Sequence, residues 1–533
     1  MAIKIRVVNM IPQSVSNETN QDSEPDLAVH PGNPWQLSAT TSLTPDPGGS
    51  TFAPIFVSRD RGHTWTLNPL IPGSATFGGT TFGTGDVTLR HSRQELAVTP
   101  IRADNGNMLA LRTADPFTAT SLQTIDTVPV ILFGPDQPFV RTMTVTHGPD
   151  TGKDRVYLGF NNLNLTGATS SIDVSADGEA SSPVFTRVVI ESRSTGAAGQ
   201  DGPAVRPAVH SDGTVYAAFM GWRAPSGTTT DVVVVRDDHW GIGGTPFQDL
   251  VDTDGFPGLR VALGVTNLAL GTILGAGQER VGNDLTIAVD PRKSSRVFIA
   301  WCDVQVGVYT LHVRASEDRG KTWSPTDLLT VTNVTNPAIA INDRGKVGLV
   351  YQQLTTTLRW ETHVRFSKKG AHWDDYVLST TPAGVPVANP LIGPYLGDYE
   401  QLLTQGTDFY GVFCANNTPD LANFPQGVHY QRNADFTTNT LLDVTGLTPV
   451  AISIDPFFFH ISWDEEKEEE EEEREHEFEG GQLRVKGLKY EKLEISGMDL
   501  NLGEDDDQRH RRLRDRLRHV AERLLGDEDD DRD

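Results

Sequence analysis

Short apolar runs, each broken by a turn after five to nine residues, recur along most of the chain. In "EPDLAVHPGNPWQLSAT" (residues 24–40) an apolar stretch meets a Pro/Gly/Asn turn, and a second stretch follows. "NDLTIAVDPRKSSRVFIAWCD" (residues 283–303) repeats that layout. Runs of this length, rich in Val, Ile, Thr and aromatic residues, predict strands, and the Gly/Pro punctuation predicts hairpins between them. Each pair is followed by a third run and then by a nearly identical octapeptide, "SRDRGHTW" (residues 58–65) and "SEDRGKTW" (residues 316–323). A fourth run completes an antiparallel meander.

Weaker copies begin "GDVTLRHSRQELAVTPIR" at 85, "PFVRTMTVTHGPDTGKDRVYLGFNN" at 138, "AVRPAVHSDGTVYAAFMGW" at 204, "NPAIAINDRGKVGLVYQQL" at 336 and "GDYEQLLTQGTDFYGVFCANN" at 397. The octapeptide is eroded to "SADGE" (175–179), "RDDHWG" (236–241) and "SKKGAHW" (367–373) in three of them. One such meander cannot bury both faces, but several set radially can. The count predicts an all-β, single β-propeller over residues 1–463, with seven four-stranded blades. Six blades plus an irregular unit is the other count. "AIKIRVV" (2–8) is placed to close the ring against "FFFHISW" (457–463).

Aligning the units by their first strand sets one polar residue at the head of each: Asp26, Asp86, Arg141, Arg206, Asp284, Asn336 and Asp398. In a propeller these positions face one mouth of the axial channel. The pattern predicts a pocket of mixed charge, with Arg141 and Arg206 able to grip an anion. The four aspartates offer hard oxygen ligands of the kind Ca²⁺ takes. No other metal-ligand spacing stands out among the 14 histidines.

The two octapeptides resemble the Asp box of sialidase-like propellers, repeats also found in sortilin-type and xyloglucanase-type propellers. That resemblance assigns Ser58, Asp60, Gly62, Trp65, Ser316, Asp318, Gly320 and Trp323 a structural role at blade turns. "LGDYEQLLTQGTDFYGVF" (396–413) is similar to the late sialidase segment that carries a tyrosine nucleophile. The similarity implies Tyr399 as nucleophile, Glu400 or a neighbouring carboxylate as its activator, Asp26 or Asp86 as acid/base, and Arg141 and Arg206 as carboxylate binders. Two places depart from it. The first blade reads "EPD" where sialidases carry Arg-Ile-Pro, and a late blade reads "GLVYQQL", with Gln352 and Gln353 where an arginine belongs.

Net charge is −26 over 533 residues, which argues against nucleic-acid binding. Half of it sits in residues 464–533, with 27 acidic and 14 basic side chains. There "DEEKEEEEEEREHEFEGG" predicts a solvated acidic linker over 464–480. Residues 481–533 predict two short strands and an amphipathic helix carrying Leu513, Leu517, Val520 and Leu524, with Asp505 to Asp507 at its start. Such a module suits oligomerisation or docking to a larger assembly. Two cysteines, Cys302 and Cys414, exclude a disulfide framework and are expected as buried thiols. No apolar run reaches the roughly 18 residues of a membrane span. No Sec-type leader is visible, so a cytoplasmic protein, or one released by a non-Sec route, is expected.

The expectation is a non-catalytic propeller binding a glycan or protein at its channel mouth. The alternatives are a sialidase-like glycoside hydrolase, for which the arginine triad is not recognisable, and a structural component of a virion or secretion assembly.

Overall fold

The computed structural model describes residues 3–42, 52–73, 75–77, 80–82, 84–167, 169–193, 205–222, 229–266, 272–273, 277–278, 284–305, 308–385 and 394–463, and the short strands Phe478–Glu479 and Gln482–Leu483. Ile3–Trp463 forms one compact unit. It holds seven blades, which settles the count in favour of seven over six. Blade 1 is Ser23–Val29, Leu37–Ser42, Phe52–Ser58 and Thr66–Pro72, hydrogen-bonded in sequence order. Blades 2 to 6 repeat that order from inner strands Val87–His91, Pro135–Thr144, Arg206–Val209, Leu285–Asp290 and Val334–Ile341. Blade 7 takes Gln401–Gln405, Asp408–Asn416 and Ile454–Trp463 from one end of the unit and Ile3–Asn9 from the other. The closing pair is antiparallel and in register from Ile3 opposite Trp463 to Asn9 opposite Phe457. The only helical elements among the described residues are two 3₁₀ turns, Gln13–Val15 and Leu421–Asn423.

Strand alternation explains why the blades stack. Side chains along a strand point to opposite faces in turn. In blade 5, Val297, Ile299 and Trp301 pack toward blade 4, while Phe298, Ala300 and Cys302 pack toward blade 6. An apolar cluster of this kind fills each of the seven interfaces between neighbouring blades, including the one between blades 7 and 1. Cys302 and Cys414 are both buried free thiols on the second strands of blades 5 and 7.

The octapeptides are the turns between third and fourth strands, and they are built alike. The Ser58 hydroxyl donates to Asp60 Oδ1 (2.8 Å) and accepts the Gly62 N–H (2.9 Å). Asp60 accepts the Thr64 N–H (2.9 Å) and hydroxyl (2.6 Å). Ser316, Asp318, Gly320 and Thr322 repeat these four bonds at 2.9, 2.9, 2.9 and 2.6 Å. Arg61–Gly62 and Arg319–Gly320 both turn through positive φ, which is why glycine holds the second position. Trp65 is buried against the Phe458 ring. Eroded copies keep part of the pattern: Ser367 accepts the Gly370 N–H, and Asp237 accepts the Gly241 N–H.

In the second unit, Met1–Ala2 with Asp464–Asp533, Phe478–Glu479 pairs with Gln482–Leu483 across the expected boundary at 480. The expected helix bearing Leu513 to Leu524 lies outside the described residues.

Asp60→Ala removes three side-chain hydrogen bonds from one turn, and the effect is expected to be about 1–2 kcal/mol of stability. Asp318→Ala should cost a similar amount, and the double variant should lower the thermal midpoint by the sum of the two shifts, because the turns share no partners.

Candidate functional site

Four inner strands carry an X-Pro pair within their first four residues: Glu24-Pro25, Gln137-Pro138, Arg206-Pro207 and Asn336-Pro337. Three of these first residues, Glu24, Gln137 and Asn336, hold positive φ of 53°, 49° and 56° where the register to the second strand slips. Proline has no N–H to lose at such an irregularity. Asp86 and Asp284 occupy the corresponding place in blades 2 and 5. The structure therefore corrects the alignment made from sequence. Asp86, Arg206, Asp284 and Asn336 are equivalent, whereas Asp26 and Arg141 lie two and four residues deeper than their blades' first polar positions, Glu24 and Gln137. Asp398 precedes its inner strand by three residues.

The same strand face carries the next polar side chains, each bonded to the following blade. Asp86 accepts the Gln137 N–H (3.1 Å), and Asp284 accepts the Asn336 N–H. One step deeper, Asp26 accepts the Leu89 N–H (2.6 Å), Thr88 the Val140 N–H (2.9 Å) and Thr286 the Ile339 N–H (3.3 Å). Arg206 Nε donates to the Leu285 carbonyl (3.3 Å), and Asn336 donates to the Gly397 carbonyl (3.0 Å). Gln401 of blade 7 donates to Asp26 of blade 1 (2.7 Å) and completes the circuit.

On one side of the mouth the groups are acidic. The Tyr395 hydroxyl donates to Glu24 Oε1 (2.5 Å) and is also hydrogen-bonded to Asp398. One hydroxyl proton cannot serve two carboxylates, so one carboxyl brings its own. Burial, with Asp86 and Asp398 close by, pushes Glu24 well above the usual carboxylate range. Burial also pushes Asp284 up, to about 6. Gly397, at φ +122°, lies so close that a Cβ there would meet the Glu24 backbone nitrogen at 2.5 Å.

The other side is cationic. Arg141 and Arg206 both place their guanidinium carbon over the Phe139 ring, 4.2 and 4.1 Å from its centroid, and Arg206 also faces the Tyr399 ring at 5.6 Å. Arg90, four residues beyond Asp86 as Arg141 is beyond Gln137, joins them. Burial first, then repulsion from Arg90 and Arg206, holds Arg141 well below its ordinary value, and burial pushes Arg206 down to about 10. All three remain cations at pH 7. Arg206 Nη1 and Arg90 Nε and Nη2 are buried without a hydrogen-bond acceptor among the described residues.

Tyr399 and Glu400 are both buried, at 4 % exposure. Glu400 lies among the carboxylates that surround the Cys414 thiol, whose value burial raises. Sequence reasoning missed Glu24, Arg90, Phe139 and Tyr395; the recurring X-Pro pair was the available signal for Glu24 and for the start of the Phe139 strand. The four aspartates weighed for Ca²⁺ do not converge. Among the described residues, three such ligand atoms come within 4.8 Å of one another only in Glu18/Asp22/Asp455 and in Asp237/His239/Asp249. The first of these groups already holds the buried Arg432 guanidinium, 2.9 Å from Asp455.

No protein-family model and no curated protein matches the chain. Solved structures similar to it include a protein of unknown function from Dyadobacter fermentans, at 12% identity over 86% of this chain and 99% of that one, with a TM-score of 0.43. An α-L-arabinanase from Penicillium chrysogenum aligns at 12% identity over 85% and 97%, TM-score 0.36. The intramolecular trans-sialidase from Ruminococcus gnavus aligns at 10% identity over 64% and 92%, TM-score 0.37.

Glu24→Gln keeps the shape of the carboxyl group and removes its titration. A folded-state value raised above the unfolded one gives stability that is full below about pH 4.5 and declines as pH climbs through the folded value. The thermal midpoint of Glu24→Gln should therefore gain on wild type progressively from pH 4.5 to 8. A constant offset across that range would show that Glu24 is ionised in the fold.

Proposed function

We propose that the protein binds a carboxylate-bearing ligand, an acidic glycan, at this mouth, and holds it without cleaving it. The observation that carries the reading is the arginine group Arg90, Arg141 and Arg206. Three guanidinium groups, Arg90 and Arg206 buried and Arg141 partly buried, crowd one side of the mouth, and the two buried ones have N–H groups with no acceptor among the described residues. Buried like charges are costly unless an anion joins them. A carboxylate can receive paired N–H bonds from guanidinium, and the Phe139 and Tyr399 rings beside them suit the apolar face of a sugar. The acids opposite are already bonded to Tyr395, Gln137 and Asn336, so the anion's place is on the cationic side.

A second reading has its own support. A tyrosine hydroxyl shared by two carboxyl groups, one of them with a raised proton affinity, is an arrangement suited to nucleophilic and acid catalysis, which is the hydrolase alternative. Tyr395 fits the nucleophile's place in it at least as well as Tyr399.

An array of acidic and neutral glycans, followed by titration calorimetry, tests the first reading. Binding should be confined to carboxylate-bearing ligands, and Arg206→Ala or Arg141→Ala should weaken it at least about tenfold. Equal binding of the neutral analogue would refute it. A fluorogenic sialoside should show no turnover above a buffer blank. Turnover lost in Tyr395→Phe or Tyr399→Phe would replace binding by hydrolysis.

A further inference from the structure

The apolar interface between blades 3 and 4 gives way, beside the outer strands, to a cleft of about 320 Å³ with a buried acid in its wall. Strand register in blade 4 sets the floor of this cleft. Phe219 and Val233 stand opposite each other on the second and third strands, Val215–Trp222 and Thr229–Asp237. Arg260 of the fourth strand, Leu259–Thr266, stands opposite Val233 in turn. Two residues along the same face, Gly221 is opposite Asp231. Glycine leaves open the space that a side chain would take there. The Glu191 carboxyl, from the segment that follows blade 3, fills it, with Oε1 only 2.8 Å from where a Gly221 Cβ would lie. Glu191 is 7% exposed, lines the cleft and accepts no hydrogen bond from any described residue.

The cations beside Glu191 are already engaged. Arg193 donates from Nε and Nη2 to the two oxygens of Asp254 (2.7 and 2.9 Å), and from Nη2 to the Gly258 carbonyl (2.7 Å). Arg260 Nε donates to Asp252 (2.7 Å), and its Nη2 lies 3.1 Å from Asp254. Each guanidinium thus has a carboxylate of its own, and the acids Glu191 and Asp231 are left over. Asp231 accepts the Gly264 N–H (2.8 Å), which leaves its charge in place. Burial first, opposed by Arg193 and aided by Asp231, pushes Glu191 up to about 8. A buried carboxyl so placed lacks a cation. Among the described residues no three metal-ligating side chains converge at the cleft. An organic cation needs fewer contacts, and the Phe219 ring in the floor favours it. We propose that this cleft binds a primary ammonium group, held by the Glu191 carboxylate, with the amine's carbon chain on Phe219 and Val233. None of the lining residues belongs to the channel mouth, so the inference does not depend on what the mouth binds.

Titration calorimetry of the full chain with n-butylamine tests it, with n-butanol as the neutral analogue. The amine should bind saturably, and butanol at least about tenfold more weakly. Glu191→Gln, of the same shape without the charge, should weaken the amine at least about tenfold. Glu317→Gln, which removes an exposed acid (62%) from the 316–323 turn, should bind as wild type does. Matching circular dichroism spectra establish that each variant is folded. A second readout needs no variant. Binding ionises Glu191 while the amine keeps its proton, so below pH 8 a proton leaves as the amine enters. The affinity of wild type should therefore rise at least about tenfold from pH 6 to 8. No saturable binding by wild type, equal affinity for butanol, unchanged affinity in Glu191→Gln, equal weakening in Glu317→Gln or a flat pH profile would each overturn the inference.

Discussion

Seven residues, Ile3–Asn9, pair along their whole length with Ile454–Trp463, and this seam joins parts of the chain some 450 positions apart. Without it blade 7 would end in an open edge, and the apolar cluster shared by blades 7 and 1, with Val8, Met10, Leu27, Tyr410 and Phe458, would face water. The mouth would come apart as well. Tyr395 and Gln401 belong to blade 7, while Glu24 and Asp26 belong to blade 1, and the bonds between them run across the closure. The seam is thus a condition for the acid cluster to exist.

Closure also explains how the structure tolerates so many ionisable groups at its axis. Several inner strands send a side chain to the backbone of the next blade, so Asp26, Asp86 and Asp284 each accept a backbone N–H as well as feeling the nearby arginines. That frees the arginines. Had Arg90 and Arg206 been placed as partners to those acids, their N–H groups would be consumed. Instead the acids take backbone N–H groups, and Arg90 and Arg206 keep donors in reserve. The apolar clusters at the seven interfaces supply the stability against which this arrangement is maintained.

The architecture was legible in the sequence because strand periodicity and a turn of fixed chemistry repeat together. Ser58, Asp60 and Gly62, like Ser316, Asp318 and Gly320, act within eight residues, and such local geometry shows directly in the residue order. The site was legible only in part. Asp86, Arg206, Asp284 and Asn336 were placed alike because they stand near strand heads, but Asp26 and Arg141 were taken for heads that Glu24 and Gln137, two and four residues earlier at irregular positions, hold. An irregular position with φ near 50° leaves only a faint mark on composition, here the following proline. Tyr395 and Arg90 were beyond reach for a different reason. Their significance comes from neighbours on other blades, Glu24 for one and Arg141 for the other, and such pairings depend on ring geometry.

Asn164 illustrates the same limit in the opposite direction. As a sequence, Asn-Leu-Thr (164–166) has the form of a glycosylation signal. In the fold the asparagine's amide makes four bonds to residues 129–134, and the exposed apolar run 130–133 is a turn. A side chain so fully engaged has a structural reason to be asparagine, because no other residue of that length offers both an acceptor and donors in one plane. Fixing the backbone in this way also removes the loop's freedom to fold its apolar side chains inward. Exposure of Ile131 and Phe133 is therefore a built property of blade 3, imposed by bonds in the polar scaffold beneath them, and not a consequence of a slack surface turn.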